Sequence, residues 1–322
     1  MIVFLAVRHH LYTVDSLCRQ SFGPVLPMVR AMAYESAFIA QAVPRATYIF
    51  TDIERLSNWE RMLAADLYRS LREAGMRCLN DPSKILTRYP MLRQLHQAGR
   101  NPFNVWRLED GCADPKFPVF LRHESDHGRP LTELLDTPEA LAAAISSLQQ
   151  AGQPLSGLLG VEFCATPFAP GVWAKFGTFR IGDVFSTDHA VLEDHWCVKY
   201  GVKGLAKSDF FEWELAHVAA NSFAAPLQTA FELAGIEYGR ADHATVSGQE
   251  VVYEINTNPD IQPLSPQSSP IRDQMVTIAR ARYGAALWDL DTVKTGPVKL
   301  QLSDRIAHHR QRTAAMGSHY RP

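Results

Sequence analysis

The chain has 322 residues, of which 46% are hydrophobic, with a formal charge of −2 and five cysteines. That length and apolar content can fill one large core or two to three ordinary ones, and the near-neutral balance provides no broad positive field for nucleic acid or an anionic membrane. Cys18, Cys78, Cys112, Cys164 and Cys197 are scattered, odd in number and never spaced as CxxC, so neither a disulfide framework nor a zinc knuckle is indicated. No segment approaches the roughly 20 apolar residues that cross a bilayer, and MIVFLAVRHH reaches Arg8 too early for a secretory core. A cytoplasmic protein with reduced thiols is expected.

The first ~100 residues alternate strand and helix patterns, which favours an α/β unit. Strands are expected at 2–7 and 46–51, and leucines at helical spacing predict a helix over 59–74 with Gly75 as its C-cap. Asp81 and Pro82 suit the start of a second helix, Pro90 a kink or split in it, and 99–102 a hinge. FPVFLR (117–122) predicts a strand that runs into the polar loop HESDHG, followed by a helix at 138–150 and a buried strand at 157–165. WAKFGTFRIGDVFSTDHAV predicts a hairpin turning at Gly182-Asp183. One long amphipathic helix is expected over 209–234, then a hairpin over 236–256, a Pro/Ser-rich loop and a last helix near 270–283. The polar end, from Ser303 onward, is expected to fray.

The second hairpin carries the chemistry. Glu254 and Asn256 are two apart on a strand, so both leave from one face. Whether Asp242 on the partner strand joins them depends on the turn near Val246-Ser247-Gly248-Gln249. A two-residue Ser-Gly loop sets Asp242 opposite Tyr253, whereas an odd-length loop sets it beside Glu254, and the odd loop is expected. An aspartate, a glutamate and an asparagine are three hard oxygen donors suited to Mg²⁺.

With its continuation TNPDI, this segment resembles the ATP-grasp superfamily, which includes D-alanine:D-alanine ligase, biotin carboxylase and ribosomal-protein glutamate ligase. The resemblance covers roughly residues 80–262 and implies a mixed α/β and α+β chain: an N-terminal α/β (pre-ATP-grasp) domain over 1–100, a small lid subdomain over 101–160, a C-terminal subdomain with the metal site over 161–300, and a tail at 301–322. It further implies that Lys84, Arg122 and Lys199 meet the nucleotide phosphates, that the backbone at Glu162-Phe163-Cys164 meets the adenine edge, and that His189 and Trp196 face the triphosphate. Asp242, Glu254 and Asn256 match the magnesium ligands, and Arg180 is the candidate for stabilising an acyl phosphate. Departures from the family pattern are the single glycine in the loop His123 to Gly128, Gly177 where a further arginine is expected, and the absence of an acid near Ala169-Pro170-Gly171 for the ribose. The resemblance implies ATP and Mg²⁺ as cofactors, a carboxylate substrate joined to an amine or similar nucleophile through an acyl phosphate, the 123–128 loop as a lid, and a homodimer. A hydroxyl phosphotransferase and a non-catalytic nucleotide binder are the competing readings.

Overall fold

A computed structural model of the chain describes residues 1–19, 26–112, 114–261, 269–291 and 296–319. Most of the expected Pro/Ser-rich loop and the last residues of the tail fall outside them.

The N-terminal part comprises β1 (Ile2–Ala6), α1 (Tyr12–Cys18), β2 (Val29–Ala33), α2 (Tyr34–Ile39), β3 (Ala42–Pro44), β4 (Thr47–Phe50), α3 (Asn58–Glu73), β5 (Cys78–Leu79) and α4 (Arg88–Gln97). β2, β1, β4 and β5 form a parallel sheet in that order. β1 and β4 are buried at every position, as the apolar run IVFLA and the run YIF require of strands covered on both faces, with Thr47 at the head of β4 donating its hydroxyl to Leu290 O. Ser57 and Glu60 close a capping box at the start of α3, and Gly75, with φ 78°, follows its last turn in the left-handed conformation that glycine adopts without strain.

A second, antiparallel sheet has the order β6 (Val105–Arg107), β8, β7 (Val119–His123), with α5 (Pro138–Gln150) preceding β8 (Leu158–Glu162) and packing Leu141, Ile145 and Leu148 against it. A third sheet, also antiparallel, has the order β10 (Val184–Glu193), β9 (Trp173–Ile181), β11 (Tyr238–Val246), β12 (Gln249–Asn256). Between its two hairpins run α6 (Ser208–Ala220) and α7 (Ala224–Ala234), and α8 (Pro270–Leu290) packs on α6 and β10. β13 (Pro297–Lys299) then pairs with β3, and α9 (Asp304–His319) lies on α2 and α3.

Four expectations need correction. The helix over 209–234 is two helices, because Asn221 takes a left-handed conformation with φ 53° while its side chain accepts from Thr187 N and donates to Phe185 O on β10. Asp81 caps a turn rather than a helix, its carboxylate accepting from Ser83 N and Oγ, and α4 starts at Arg88 with Pro90 in the first turn, where a missing N–H costs nothing. α8 runs on to Leu290, seven residues past its expected end. The tail does not fray over its described length: Ile306 is fully buried, Arg305 and Ser303 bond Asp66, and Arg310 bonds the carbonyls of Phe38 and Ala40. These contacts to α2 and α3 override the weak amphipathic pattern of α9. Ile306→Ala should therefore cost about 2–4 kcal/mol, read from urea unfolding; an unchanged midpoint would mean that the helix is not docked.

Candidate active site

The site is built on the β11–β12 hairpin. Its loop is the two-residue Ser247-Gly248, with φ 50° and 79°, joining Val246 to Gln249, the turn whose twist suits a hairpin. The odd loop expected from sequence is therefore not the one used. A straight ladder from this turn would set Asp242 against Tyr253. Instead, the register shifts between His243 and Asp242, Tyr253 becomes an extra bulged residue, and Asp242 pairs with Glu254 and Arg240 with Asn256. The bulge thus does what the loop was expected to do.

Both carboxylates line one cleft and both are buried. Asp242 accepts from Lys175 Nζ at 2.8 Å and from Arg240 at 3.3 Å. Burial opposes its charge, but these two cations outweigh it and hold the carboxyl below its usual range. Glu254 bonds Arg88 and His127 and lies 3.8 Å from Arg122. Here too burial opposes ionisation, and Arg88, His127 and Arg122 overcome it.

Around the pair stand further cations. Burial, helped by Arg88 and opposed by Glu254, pulls Arg122 down to about 10. Lys199 is also lowered by burial, and its ammonium donates to His127 O. It reaches the cleft because buried Glu193 collects the backbone amides of Lys199, Tyr200 and Gly201 at 2.8, 2.6 and 3.0 Å, folding that loop inward. Arg122, in the cleft lining, buries an Nε–H that has no partner among the described residues, a cost that an anion there would relieve; Arg240 bonds Asp242 without lining the cleft itself. Arg88, Arg122, Lys175, Lys199, Arg240 and His127 thus surround Asp242 and Glu254.

The cleft encloses about 810 Å³ including its open mouth. One end is ionic. The other is apolar and aromatic, with Phe120, Phe163, Trp173, Trp196 and Tyr253 at its walls. The Glu162 carboxylate is committed to the backbone amides of Asn104 and Lys116 at 2.7 and 2.9 Å, so only its main chain is available to a ligand. Cys164 also lines the cleft, its carbonyl accepting from Tyr253 Oη at 2.8 Å. Trp196 is fixed by an indole bond to Glu133 at 2.9 Å.

Other sequence candidates fall elsewhere. Lys84 lies on a surface turn, its side chain 77% exposed and paired with Asp81, and does not line the cleft. The cation from that segment is Arg88, which sequence reading passed over. Arg180 does not reach the cleft either. It alternates to the face of β9 opposite Lys175, where it donates to the carbonyls of Gly182 and Ile236 and lies over the Phe185 ring. The arginine beside Asp242 is Arg240. Gly177 makes room for it, since a Cβ there would sit 3.3 Å from Arg240 Cδ. The arginine expected at 177 is thus supplied by the neighbouring strand. His189 pairs with Asp188 at 2.8 Å and does not line the cleft. Asn256 accepts from Asn258 N at 2.8 Å.

Arg88 also explains the glycine-poor loop. It donates to the carbonyls of His123, Glu124 and Asp126 at 3.3, 2.9 and 2.6 Å, organising the loop through a side chain rather than through glycine flexibility. The one glycine lies against Asp126: a Cβ at Gly128 would sit 2.6 Å from Oδ2 of that exposed side chain, which would have to turn away. His127 then bridges Glu254 to Glu54 of the N-terminal part. The next residues are bolted to the carboxyl ends of β1 and β4: Asn258 donates to Asp52 at 2.9 Å and accepts from Thr13 at 2.8 Å, and Asp52 also bonds His10. Past Glu254 a smaller hollow of about 390 Å³ opens between Glu54, Arg88, Ser125, His127 and Thr257.

Among the described residues no three His, Cys, Asp or Glu side chains form a metal cluster. The donors present in the cleft are the two opposed carboxylates, hard oxygens that fit Mg²⁺ better than softer ions, whereas Asn256, whose amide oxygen accepts from Asn258 N, does not line it. Among the described residues, no helix is long and apolar enough to cross a membrane.

No protein-family model and no curated protein sequence matches the chain. Among solved structures it is similar to D-alanine–D-alanine ligase from Bacillus anthracis complexed with ATP, at 9% identity over 89% of this chain and 97% of that one, TM-score 0.44. It is also similar to L-amino acid ligase from Bacillus licheniformis (11% identity, 92% and 74% covered, TM-score 0.44). A third is the ATP-grasp ligase PsnB complexed with minimal precursor (13%, 90% and 98%, TM-score 0.49).

The His127 bridge has a pH signature. Burial opposes the imidazolium, but hydrogen bonds to Glu254 and Glu54 outweigh it and raise the group from 6.5 to about 9. A pKa raised on folding gives stabilisation that is complete below about pH 6.5 and is lost as the pH rises through about 9. In thermal melts across that window the advantage of the wild type over His127→Gln should shrink steadily; a constant gap would contradict the bridge.

Proposed function

We propose that this chain is an ATP-grasp enzyme, an ATP-dependent ligase that activates a carboxylate as an acyl phosphate and joins it to an amine or similar nucleophile. The observation that carries this reading is the Asp242–Glu254 pair, opposed across the bulged hairpin at the cationic end of a cleft whose other end is aromatic. Such a cleft has the polarity of a nucleotide: a flat base for the aromatic walls and a polyanion for the cations.

The aromatic walls and the main chain at Phe163 to Ala165 would receive the base. Arg122, Lys175 and Lys199 would ground the phosphates, and Arg122 can grip two oxygens at once through its fork. Mg²⁺ held by Asp242, Glu254 and Asn256 would neutralise and align the phosphate oxygens. Arg240, on the same face as Asp242, replaces Arg180 as the group that would stabilise charge on the acyl phosphate and on the tetrahedral state after attack. The hollow past Glu254 is the proposed entry for the acid, next to the point where the γ-phosphate would lie. The 123–128 loop, tied to Glu254 through Arg88 and His127, would keep water from the intermediate. Reduced cysteines and a need for ATP agree with a cytoplasmic setting.

With ATP, Mg²⁺, hydroxylamine and a panel of amino acids and short peptides, the enzyme should release ADP and a hydroxamate. A stable phosphate ester would point to a hydroxyl kinase, and no turnover to a nucleotide binder. Once a substrate is found, Arg240→Ala should lower kcat about 10²–10³-fold, whereas Arg180→Ala should act chiefly on stability; equal kinetic losses in both would overturn the assignment to Arg240.

A further inference from the structure

Asp242 and Glu254 face each other because β12 carries one residue more than β11 between the turn and the open end of the hairpin. We infer that Asn258 is a positioning residue whose bonds to Asp52 and Thr13, at the carboxyl end of the parallel sheet, force that extra residue out of the ladder and so set the acid pair. The inference rests on the ligase reading only for its consequence, metal binding, and not for the geometry.

Near the turn the pairing is the same whichever ladder follows: Val246 with Gln249, Thr245 with Glu250, Ala244 with Val251 and His243 with Val252. The two ladders part beyond that point. The straight one would pair Asp242 with Tyr253 and Ala241 with Glu254, and would turn Glu254 to the other face. The bulged one pairs Asp242 with Glu254, Ala241 with Ile255 and Arg240 with Asn256. Only contacts that hold the open ends of the two strands can select between them.

Both open ends are held, and by the same sheet. At the start of β11, Asn80, which follows β5, donates to Phe50 O on β4 at 2.9 Å and to Tyr238 O at 2.8 Å. It also accepts from the N–H groups of Glu237 and Tyr238 at 2.8 and 2.9 Å. Past the end of β12, Asn256 Oδ1 accepts from Asn258 N at 2.8 Å, which makes Asn258 one unit with the last paired residue. The Asn258 amide donates to Asp52 Oδ2 at 2.9 Å and accepts from Thr13 Oγ1 at 2.8 Å. Asp52, 1% exposed, is itself fixed by Val7 N and His10 Nδ1, each at 3.1 Å. Tyr238 is thus anchored to the end of β4, and Asn258 to the ends of β1 and β4 and to α1.

The arms between these anchors and the turn are unequal. Tyr238 begins a strand of nine residues, whereas β12 has eight and Asn258 lies two beyond it. With the turn and both ends fixed, the surplus residue has to leave the ladder. The turn half is held as far as Val252, whose carbonyl and N–H bond the Asn101 amide at 2.7 and 3.1 Å, so the surplus falls at Tyr253. A straight ladder would move the outer part of β12 by one residue, about 3.3 Å. That shift takes Asn258 out of hydrogen-bond reach of Asp52 and Thr13.

The register of the open half can be read without any ligand. Paired substitutions Ala241→Cys with Ile255→Cys should crosslink on oxidation, as mapped by mass spectrometry. Adding Asn258→Ala should cut that yield several-fold and leave intact the Ala244→Cys with Val251→Cys crosslink, which lies on the half common to both ladders. Deleting Tyr253 equalises the arms, so the straight ladder then opposes Asp242 to Glu254 unaided. In that background Asn258→Ala should leave the 241–255 yield unchanged. An unaffected 241–255 crosslink in the chain that keeps Tyr253 overturns the inference, as does an equal loss in both backgrounds. In the chain without added cysteines, Asn258→Ala should weaken the Mg²⁺ enhancement of ADP binding by about 10-fold or more. Crosslinks that behave as stated in a chain whose wild type shows no Mg²⁺ enhancement uphold the register device and count against the ligase reading instead. If Asn258→Ala does not fold, Thr13→Val, which removes one of the two side-chain bonds, is read by the same crosslinks with the same outcomes.

Discussion

Two ionised carboxylates face each other in a buried cleft, and much of the surrounding structure serves to make that tolerable. Asp242 and Glu254 repel, and burial adds to the cost. The compensation comes from five elements: Arg88 at the head of α4, Arg122 on β7, His127 in the following loop, Lys175 on β9 and Arg240 on β11. Removing one partner of such a buried pair typically costs about 3–5 kcal/mol, because the other is left uncompensated. The acids consequently hold the N-terminal part, the small sheet and the larger sheet in register with one another, so the site and the packing of the chain are parts of one electrostatic arrangement.

The mechanical frame is equally economical. Asn80, fully buried with φ 67°, donates to Phe50 O and Tyr238 O and accepts from Glu237 N and Tyr238 N, so one amide joins β4 to the start of β11. Asp52 and Asn258 make the matching link at the far end of the hairpin. Asn80 and Asn101 do similar work at the two ends: each uses a short, rigid amide with both a donor and an acceptor to satisfy main-chain groups that no strand reaches. The hairpin is therefore held at its entry, on the turn side of its bulge and at its exit, which is where a site built from opposite strands must be rigid.

Much of this was legible in the chain itself. Apolar runs marked β1 and β4 but not β2 or β5 of the parallel sheet, and the EIN triplet with Asp242 marked the acid face, because those signals are local. Arg122, Cys164 and Lys199, which the family resemblance implied, line the cleft. The misses have physical causes. The face of a strand follows from alternation only while the ladder is regular, and a bulge does not announce itself in composition, so the acid pairing was anticipated through the wrong device. Arg88 and Arg240 were overlooked because a buried arginine resembles a surface arginine until its partners are known. Asn80 and Asn258 act across 158 and 206 residues of sequence respectively, a separation that no local pattern can encode.

The pairing of cations with acids also bears on what happens when a ligand enters. Every arginine or lysine that touches Asp242 or Glu254 is one that a triphosphate could draw away, and every carboxylate oxygen so released is one that a divalent ion could take. The exchange conserves the number of charge-assisted contacts while replacing internal pairs with pairs to the ligand, so the net gain from each contact is small. Affinity must then come mainly from what has no partner within the described chain: the Nε–H of Arg122 and the aromatic walls. The proposed nucleotide and Mg²⁺ would therefore favour one another, since metal without phosphate would leave the cations crowded, and phosphate without metal would leave the two acids facing each other unscreened.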